Sequence, residues 1–459
     1  MMRKRWLPTG VAGLATVLLL AGCSPQPSGG STSSGTSVSN SSTSGSGGAA
    51  SQGSSTGAPS AASTDQDKPV TLTVWGWNQD QAAAYQKVLS LYTKDHPNVT
   101  VKYIPYQSTD YDTILKTGLA GAEGPDVAML RSYGGMQTLV DSGDLVDLTG
   151  KVSGLSAFPK AVLDGATASD GNIYGVPFAV QTLNIFYNKS IFAKYKLSAP
   201  TTWDQMMSDA KTLKDNDVIP FASVVSDNWM LPVEQEIFGA TRYGGPAFEA
   251  KLLSGQAKFT DPDWVASVST WLQTQKYWEP NYAGTGYNDA KALFMSGKAA
   301  MYPGGIYELA NFQENAPDLK LGLFSAPPAP GAVVDHALTP GYVDGSFGIS
   351  AKSSHQQAAL DLVNWMATPA FGQAYANDLK QLSPVPGITI DEPLLQQAAD
   401  DYAKNPSPYI TYDDFNYGTP TGWSVSCEQM QKAALGTETA AQAAAALQKS
   451  VDQWFKPKS

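Results

Sequence analysis

Apolar and polar residues alternate in two distinct patterns along the first part of the folded region. Residues 70–75, Val-Thr-Leu-Thr-Val-Trp, alternate one by one, which predicts a β-strand that ends at Gly76. Residues 80–94 place apolar side chains three and four positions apart, which predicts a helix packed on a sheet. The two patterns then repeat, with strands expected at 99–103 and 126–130 and a helix at 110–120. Such alternation is typical of an α/β fold with a mostly parallel sheet.

The same alternation resumes after Gly175, and the last third of the chain is dominated by helical patterns. We expect strands at 183–188 and 299–302, and helices at 202–214, 355–367, 392–404 and 426–455. Thr201 or Thr202 would cap the helix that starts near 202. Roughly 390 residues follow residue 68, which exceeds the size at which one hydrophobic core stops growing. The chain is therefore expected to form two lobes.

The first 68 residues predict export and attachment to a lipid surface. Three basic residues precede a short apolar run at 11–20, which is typical of a signal peptide and too short to span a bilayer. Residues 20–23, Leu-Ala-Gly-Cys, resemble the bacterial lipobox, so we expect a signal peptide at 1–22 and lipidation of Cys23. Residues 24–68 are mainly Ser, Gly and Thr without an aromatic residue, which predicts a flexible tether over 23–68. The predicted location is the extracellular face of the bacterial cytoplasmic membrane, held there by a lipid anchor.

Charge and missing motifs exclude several classes of function. Removal of residues 1–22 takes away three positive charges and changes the net charge from −11 to −14, which argues against a nucleic-acid partner. Cys427 is the only cysteine besides Cys23, so no intramolecular disulfide is expected once Cys23 is lipidated. The three histidines lack metal-ligand spacing, and no P-loop, dinucleotide fingerprint or Gly-x-Ser-x-Gly elbow occurs in the folded part. We therefore expect no metal and no cofactor. We also expect no enzymatic activity, although missing motifs do not eliminate a glycosidase, because its two carboxylates have no fixed spacing in sequence.

Aromatic residues recur in loops that are also rich in Gly, Asn, Gln and Asp, and several of these loops follow predicted strands. In open α/β sheets ligands bind at the carboxyl ends of strands. A sugar site needs flat rings for the C–H faces of the sugar and fixed polar groups for its hydroxyls, and these loops supply both. For Trp75, which belongs to the strand itself, we expect packing instead. The candidate ligand-binding residues are Trp77, Asn78, Gln79, Arg131, Ser132, Asn228, Trp229, Gly305, Tyr307, Glu308, Tyr342, Asp344 and Trp423.

Six short motifs occur in the order and at the separations of one known family. In this order and spacing the chain resembles the extracellular solute-binding proteins of carbohydrate ABC importers, a group that includes the maltose-binding protein. The resemblance covers essentially the whole chain beyond the tether. The motifs are Val-Thr-Leu-Thr-Val-Trp at 70–75, Gly-Pro-Asp-Val at 124–127, Ile-Tyr-Gly-Val-Pro at 173–177, Ile-Phe-Tyr-Asn-Lys at 185–189, Thr-Thr-Trp-Asp at 201–204 and Phe-Met-Ser-Gly-Lys-Ala-Ala-Met at 294–301.

The resemblance implies a two-lobed periplasmic-binding-protein-like fold that encloses a sugar by hinge bending. One lobe would comprise 69–178 and 328–386, the other 183–324 and 390–459. The resemblance also implies a membrane permease of an ABC importer as partner, a monomeric protein, and ligand contacts from Trp77, Asn78, Gln79, Arg131, Ser132, Trp229, Tyr307 and Trp423. It adds Gln181, which lies where the maltose-binding protein has an acidic contact. Met129 and Leu130 stand where the family often has an aromatic residue, so the identity of the sugar stays open.

Two alternatives remain from the sequence. A secreted, lipid-anchored glycoside hydrolase would also carry aromatic loops, but it would need two carboxylates across the cleft. The same fold could bind an amino acid, an oxyanion or a metal, but such sites need a dominant charge, whereas these loops are aromatic and amide-rich with one arginine. An oligosaccharide is the ligand that the loops favour.

Overall fold

The computed structural model describes residues 69–457. The predicted signal peptide, Cys23 and the tether lie outside the described residues. Within 69–457 no helix combines the length and apolar character that a bilayer crossing requires.

Nine strands in the described part form one connected sheet. Its hydrogen-bonded order is β2-β1-β3-β8-β4-β6-β5, with β7 also paired to β4 and β9 to β8. The strands are β1 (Val70–Gly76), β2 (Val99–Pro105), β3 (Val127–Arg131), β4 (Val176–Asn188), β5 (Ile219–Phe221), β6 (Ala299–Gly305), β7 (Leu321–Phe324), β8 (Thr339–Ile349) and β9 (Pro406–Pro408).

Seventeen α-helices of residues 69–457 surround this sheet. They are α1 (Ala82–Asp95), α2 (Ser108–Ala120), α3 (Gln137–Asp141), α4 (Lys160–Asp164), α5 (Lys189–Lys194), α6 (Trp203–Lys214), α7 (Met230–Tyr243), α8 (Pro246–Leu253), α9 (Pro262–Leu272), α10 (Tyr287–Met295), α11 (Leu309–Asn315), α12 (Gln356–Met366), α13 (Pro369–Asp378), α14 (Pro393–Lys404), α15 (Ile410–Asp413), α16 (Gly422–Ala434) and α17 (Ala440–Val451).

Buried side chains separate into two hydrophobic cores. The first includes Leu72, Phe178 and Phe347, and we call the elements around it the N lobe. The second includes Phe186 and Trp264, and we call the elements around it the C lobe. The fold is thus α/β with two lobes, as predicted, while the lobe boundaries given above stay a prediction.

Strands β4 and β8 join the two lobes. They pair antiparallel from Val176 opposite Phe347 to Thr182 opposite Gly341, with register shifts around Ala179. Strand β4 contributes to the N-lobe core up to Ala179 and to the C-lobe core from Leu183 onward. The chain therefore crosses between the lobes inside a continuous strand, which places residues 180–182 at the joint.

The predicted strands and helices agree with most of the observed elements, and the differences have local causes. The helical pattern at 426–455 is divided into α16 and α17, because Gly436 adopts a left-handed conformation with φ of 71° between them. The sheet is mixed, whereas the sequence predicted a mostly parallel one. Strand β1 is parallel to β2 and β3, and β5 is parallel to β6, but β8 runs antiparallel to both β3 and β4.

Threonine side chains fix the start of three helices. Thr202 accepts a hydrogen bond from the backbone N–H of Gln205, which makes it the cap expected for α6. Thr439 caps α17 in the same way. Thr421 accepts from the backbone N–H of Ser424 at 3.0 Å and so sets the first turn of α16, from which Trp423 projects.

Candidate ligand-binding cleft

A polar network lies at the joint of the two lobes. The side-chain amide of Gln181 donates to Oδ2 of Asp344 at 3.0 Å and to Oε1 of Gln381 at 3.2 Å. Gln381 in turn donates to the backbone oxygen of Tyr307 at 3.3 Å. Three predicted site residues, Gln181, Asp344 and Tyr307, thus belong to one network, in which Gln381 joins Gln181 to Tyr307. The sequence patterns did not indicate Gln381 as a site residue. Burial raises the pKa of Asp344, and the nearby Arg131 guanidinium and the Gln181 hydrogen bond oppose that rise.

The N-lobe wall of this cleft is built around Arg131 and Trp77. The Arg131 guanidinium lies over the Trp77 ring, 4.1 Å from its centre, and its Nε donates to Oδ1 of Asp112 at 3.1 Å. Burial alone would lower the pKa of Arg131, but Asp112 and other neighbouring groups raise it above its ordinary value, so the side chain stays charged. Trp77 is 6% exposed and packs its ring edge-on against Tyr111. This geometry favours a role for Trp77 in holding Arg131 in place; a sugar contact by its ring stays a prediction.

The other candidates of this wall differ in exposure. Asn78 is half-buried, and its amide donates to the Tyr85 hydroxyl, whereas Gln79 is exposed. Ser132 is fully buried, and its hydroxyl has no hydrogen-bond partner among residues 69–457. Trp75 packs against the N-lobe core, with its ring centre 5.0 Å from that of Tyr106, as expected for a strand residue.

Four aromatic side chains of the C lobe and β8 form a contiguous cluster that we call the aromatic wall: Tyr342 and Trp423, which are half-buried, and Tyr409 and Tyr412, which are buried. The Tyr412 ring lies 5.0 Å from Tyr342 and 5.6 Å from both Tyr409 and Trp423. The indole N–H of Trp423 donates to the Tyr409 hydroxyl at 3.2 Å. Tyr342 and Trp423 were predicted, whereas Tyr409 and Tyr412 were missed because the short strand before them, β9, shows no apolar alternation in the sequence. The run Tyr-Ile-Thr-Tyr at 409–412 was their only signal.

A second C-lobe group contains Trp229, Tyr287, Lys291 and Glu308. Trp229 meets Tyr287 edge-on at 5.0 Å, and the Tyr287 hydroxyl donates to Oε1 of Glu308. Burial raises the pKa of Glu308, and the Lys291 ammonium, 3.9 Å from Oε2, opposes that rise. Asn228 is half-buried beside Trp229. The predicted Trp229 and Glu308 therefore belong to one connected group.

The ring of Tyr307 lies directly against the backbone of Gly305. A Cβ atom at Gly305 would overlap that ring, so the backbone here has to be glycine for Tyr307 to keep its position. The Tyr307 hydroxyl lies 3.4 Å from the sulfur of Met230. The close approach explains why the Gly-Gly-Ile-Tyr loop carries glycine before its aromatic residue.

The two lobes contact each other across the cleft in this structure. A Cβ atom at Gly134 of the N lobe would overlap the backbone oxygen of Asn416 in the C lobe. Tyr133 accepts a hydrogen bond from the backbone N–H of Val343 at 3.3 Å, and its ring lies 6.0 Å from that of Tyr412. The lobes are therefore closed on each other.

A groove of about 310 Å³ continues outward from Arg131 along the N lobe. Besides Arg131, its polar side chains are Asp112, Thr113, Lys116, Thr117 and Thr138. Among residues 69–457 no group of three or more His, Cys, Asp or Glu side chains is placed to hold a metal ion. The described cleft thus offers aromatic rings, amides, hydroxyls and paired charges as ligand contacts.

Comparison with known proteins places this arrangement in one family. The model of the bacterial extracellular solute-binding proteins matches residues 75–373. The multiple sugar-binding protein of Streptococcus mutans is 25% identical over 325 residues, which cover 68% of this chain and 75% of that protein.

Two solved structures have the same fold. One is a protein from work on xylan utilization by Caldanaerobius polysaccharolyticus, with a TM-score of 0.73 and 23% identity over 83% of this chain and 100% of that chain. The other is the GacH receptor of Streptomyces glaucescens, with a TM-score of 0.68 and 20% identity over 84% and 98% of the two chains. The family match spans more than half of the chain. The protein belongs to the family of bacterial extracellular solute-binding proteins.

Proposed function

We propose that the protein captures an uncharged oligosaccharide between its lobes and delivers it to the membrane permease of an ABC importer. The observation that carries this proposal is the aromatic wall, whose Tyr412 lies close enough to Arg131 and Asp344 to interact electrostatically with both. Rings of this kind cover the C–H faces of a sugar, and the carboxylate and guanidinium bind its hydroxyls. The relative from Streptococcus mutans is a multiple sugar-binding protein, and the GacH receptor was solved in complex with acarbose, which supports a saccharide ligand.

The charges of the cleft favour a neutral ligand. Arg131 is paired with Asp112 at 3.1 Å, and Lys291 lies 3.9 Å from Glu308. A ligand carboxylate or phosphate would compete with these acids for their cations, and displacing Glu308, which is 2% exposed, would leave a buried acid without its cation. A polyol can instead bind the paired groups without disturbing their charge balance.

The groove beside Arg131 favours an oligosaccharide over a single sugar ring. Its lining includes Arg131 together with hydroxyl groups from Thr113, Thr117 and Thr138. Further sugar units can place their hydroxyls there. We also propose that Cys23 carries the lipid anchor and that the protein acts as a monomer at the extracellular face of the membrane.

A thermal-shift screen with neutral saccharides tests the proposal. Maltotriose, raffinose, xylotriose, chitotriose and galactose are added to the purified protein, and a ligand at about a hundred times its dissociation constant should add roughly 2.7 kcal/mol to the free energy of unfolding. Chromatography of the same mixtures should recover every sugar intact. If a panel of neutral mono- to hexasaccharides gives no shift, the proposal fails, and if a sugar is cleaved, the protein is a glycoside hydrolase instead.

Gly134→Ala is expected to weaken binding of the sugar found in the screen at least tenfold, because the new methyl group keeps the N lobe away from Asn416. The melting temperature should stay close to that of the wild type, since the clash disappears when the lobes separate. Calorimetry measures the affinity. Gly284→Ala is the matched control, because nothing lies within 4 Å of a Cβ atom there. Equal affinity in both variants would contradict capture by closure.

A further inference from the structure

Lys291 is a buried cation that contacts acidic groups of both lobes. Its side chain on α10 is 6% exposed, and its Nζ lies 3.9 Å from Oε2 of Glu308 and 3.9 Å from Oδ2 of Asp80. The same Nζ lies 4.1 Å from the centre of the Tyr287 ring. One ammonium group therefore connects three side chains.

Asp80 and Lys291 lie on opposite sides of the cleft. It follows β1 and lies between Trp77 and Tyr85, which are both part of the N-lobe core. Lys291 lies between Ala290 and Phe294 in the C-lobe core. The distance between Asp80 and Lys291 therefore changes when the lobes separate, whereas the distance between Lys291 and Glu308 stays within one lobe.

Lys291 also reaches the predicted sugar platform. Its ammonium lies over the Tyr287 ring, and that ring supports Trp229 edge-on at 5.0 Å. The Tyr287 hydroxyl is fixed by Glu308, which is itself 2% exposed. A change in the position of Lys291 is therefore passed to Trp229 through Tyr287.

We propose that Lys291 is a positioning residue that couples closure of the lobes to the placement of Trp229, with Asp80 as the group that completes its site on closing. This inference rests on the proposed function for its sugar-binding part. Glu308 and the Tyr287 ring keep the cation in place in the open form, where Asp80 is absent. On closing, Asp80 supplies a second negative charge to a poorly solvated ammonium group, which favours the closed state.

The expected effect of the Asp80 contact is modest because its side chain is 64% exposed. Asp80→Asn should lower the ratio of closed to open molecules about threefold and raise the sugar dissociation rate by a similar factor, with little effect on association. Asp80→Lys places two cations together and should raise the dissociation rate at least tenfold. Lys291→Met should repeat the effect of Asp80→Asn and also weaken binding through Trp229.

Two measurements test the inference. Stopped-flow kinetics with the sugar found in the screen gives association and dissociation rates, measured from about 50 to 500 mM KCl because screening should remove the Asp80 effect. Spin labels at Ser142→Cys in the N lobe and Ser254→Cys in the C lobe, in the full chain with Cys23→Ser, give the distance distribution without any ligand; both positions are exposed and Cys427 is buried. The second measurement does not depend on the sugar.

Asp378→Asn is the matched control. It removes an aspartate that pairs with Lys87 at 2.9 Å within the N lobe, so it makes the same charge change away from the cleft. Asp80→Asn with wild-type dissociation rates and the same distance distribution as Asp378→Asn would overturn the inference while leaving sugar binding intact. If no sugar binds the wild type, the proposed function fails, and the ligand-free distances still decide whether Asp80 stabilises the closed form.

Discussion

Asp344→Ala is expected to weaken sugar binding about fiftyfold, because a hydrogen bond from a sugar hydroxyl to a carboxylate contributes about 1.5–3 kcal/mol. Asp344 lies on β8 at the joint of the lobes, where Gln181 occupies its Oδ2 at 3.0 Å. Its side chain is half-buried, so we expect a ligand hydroxyl to reach the other carboxylate oxygen, Oδ1. Isothermal titration with the sugar identified by the screen measures the loss.

Two further variants show whether the loss comes from the carboxylate. Asp344→Asn keeps the shape of the side chain and one acceptor oxygen, so its affinity should fall between those of the alanine variant and the wild type. Asp361→Ala removes a carboxylate that accepts from Gln357 within α12 and takes no part in the cleft contacts described above, so it should bind normally. Removing the half-buried charge of Asp344 should not lower the melting temperature. Unchanged affinity in Asp344→Ala would remove this residue from the site.

The second large effect concerns stability at alkaline pH. Burial raises the pKa of Glu236 from 4.5 to about 8, with only the Tyr243 hydroxyl as an opposing hydrogen-bond donor. The folded protein thus holds this proton more tightly than the unfolded chain. The resulting stabilisation is complete below about pH 4.5 and is lost as the pH rises through about 8. Glu234 has a pKa raised to about 8 by the same cause, so both carboxyl groups act in the same direction.

Glu236→Gln should remove one of these two contributions. A shift from 4.5 to about 8 corresponds to about 5 kcal/mol, so we expect the variant to gain roughly 3–5 kcal/mol of unfolding free energy relative to wild type between pH 5 and pH 9. Urea denaturation at several pH values gives the slope of the unfolding free energy against pH. Glu314→Gln changes an exposed glutamate next to α11's end and should leave the slope as it is. A wild-type slope in Glu236→Gln would mean that this carboxyl group does not titrate as described.

Local pattern was enough to predict the first strands and helices. The apolar periodicity of β1, α1 and β2 depends on neighbours close in sequence, so it can be recognised without the fold. The rule that ligands lie at strand ends identified the loops of Arg131 and Tyr307. The structure connects Tyr307 to Gln181 and Asp344 through Gln381, but whether these residues bind the ligand stays a prediction.

Other parts depend on long-range contacts that leave no local signal. Tyr409 and Tyr412 come from the short helix α15 and the residue before it, and their rings meet Tyr342 only because β8 and β9 bring the two segments together. Gln381 lies after α13, in a segment without periodicity. Trp77 follows the last residue of β1. Its neighbours in sequence do not indicate that Arg131 covers the face of its ring.

The continuous strands β4 and β8 have a consequence for how the protein unfolds. Each lobe takes part of its sheet from the same two strands, so neither lobe retains a complete sheet once the other has lost its order. The lobes should therefore denature together in one cooperative transition, although each has a hydrophobic core of its own. Bending at residues 180–182 leaves this mutual dependence intact, since the inter-strand hydrogen bonds hold the pair together while the lobes rotate.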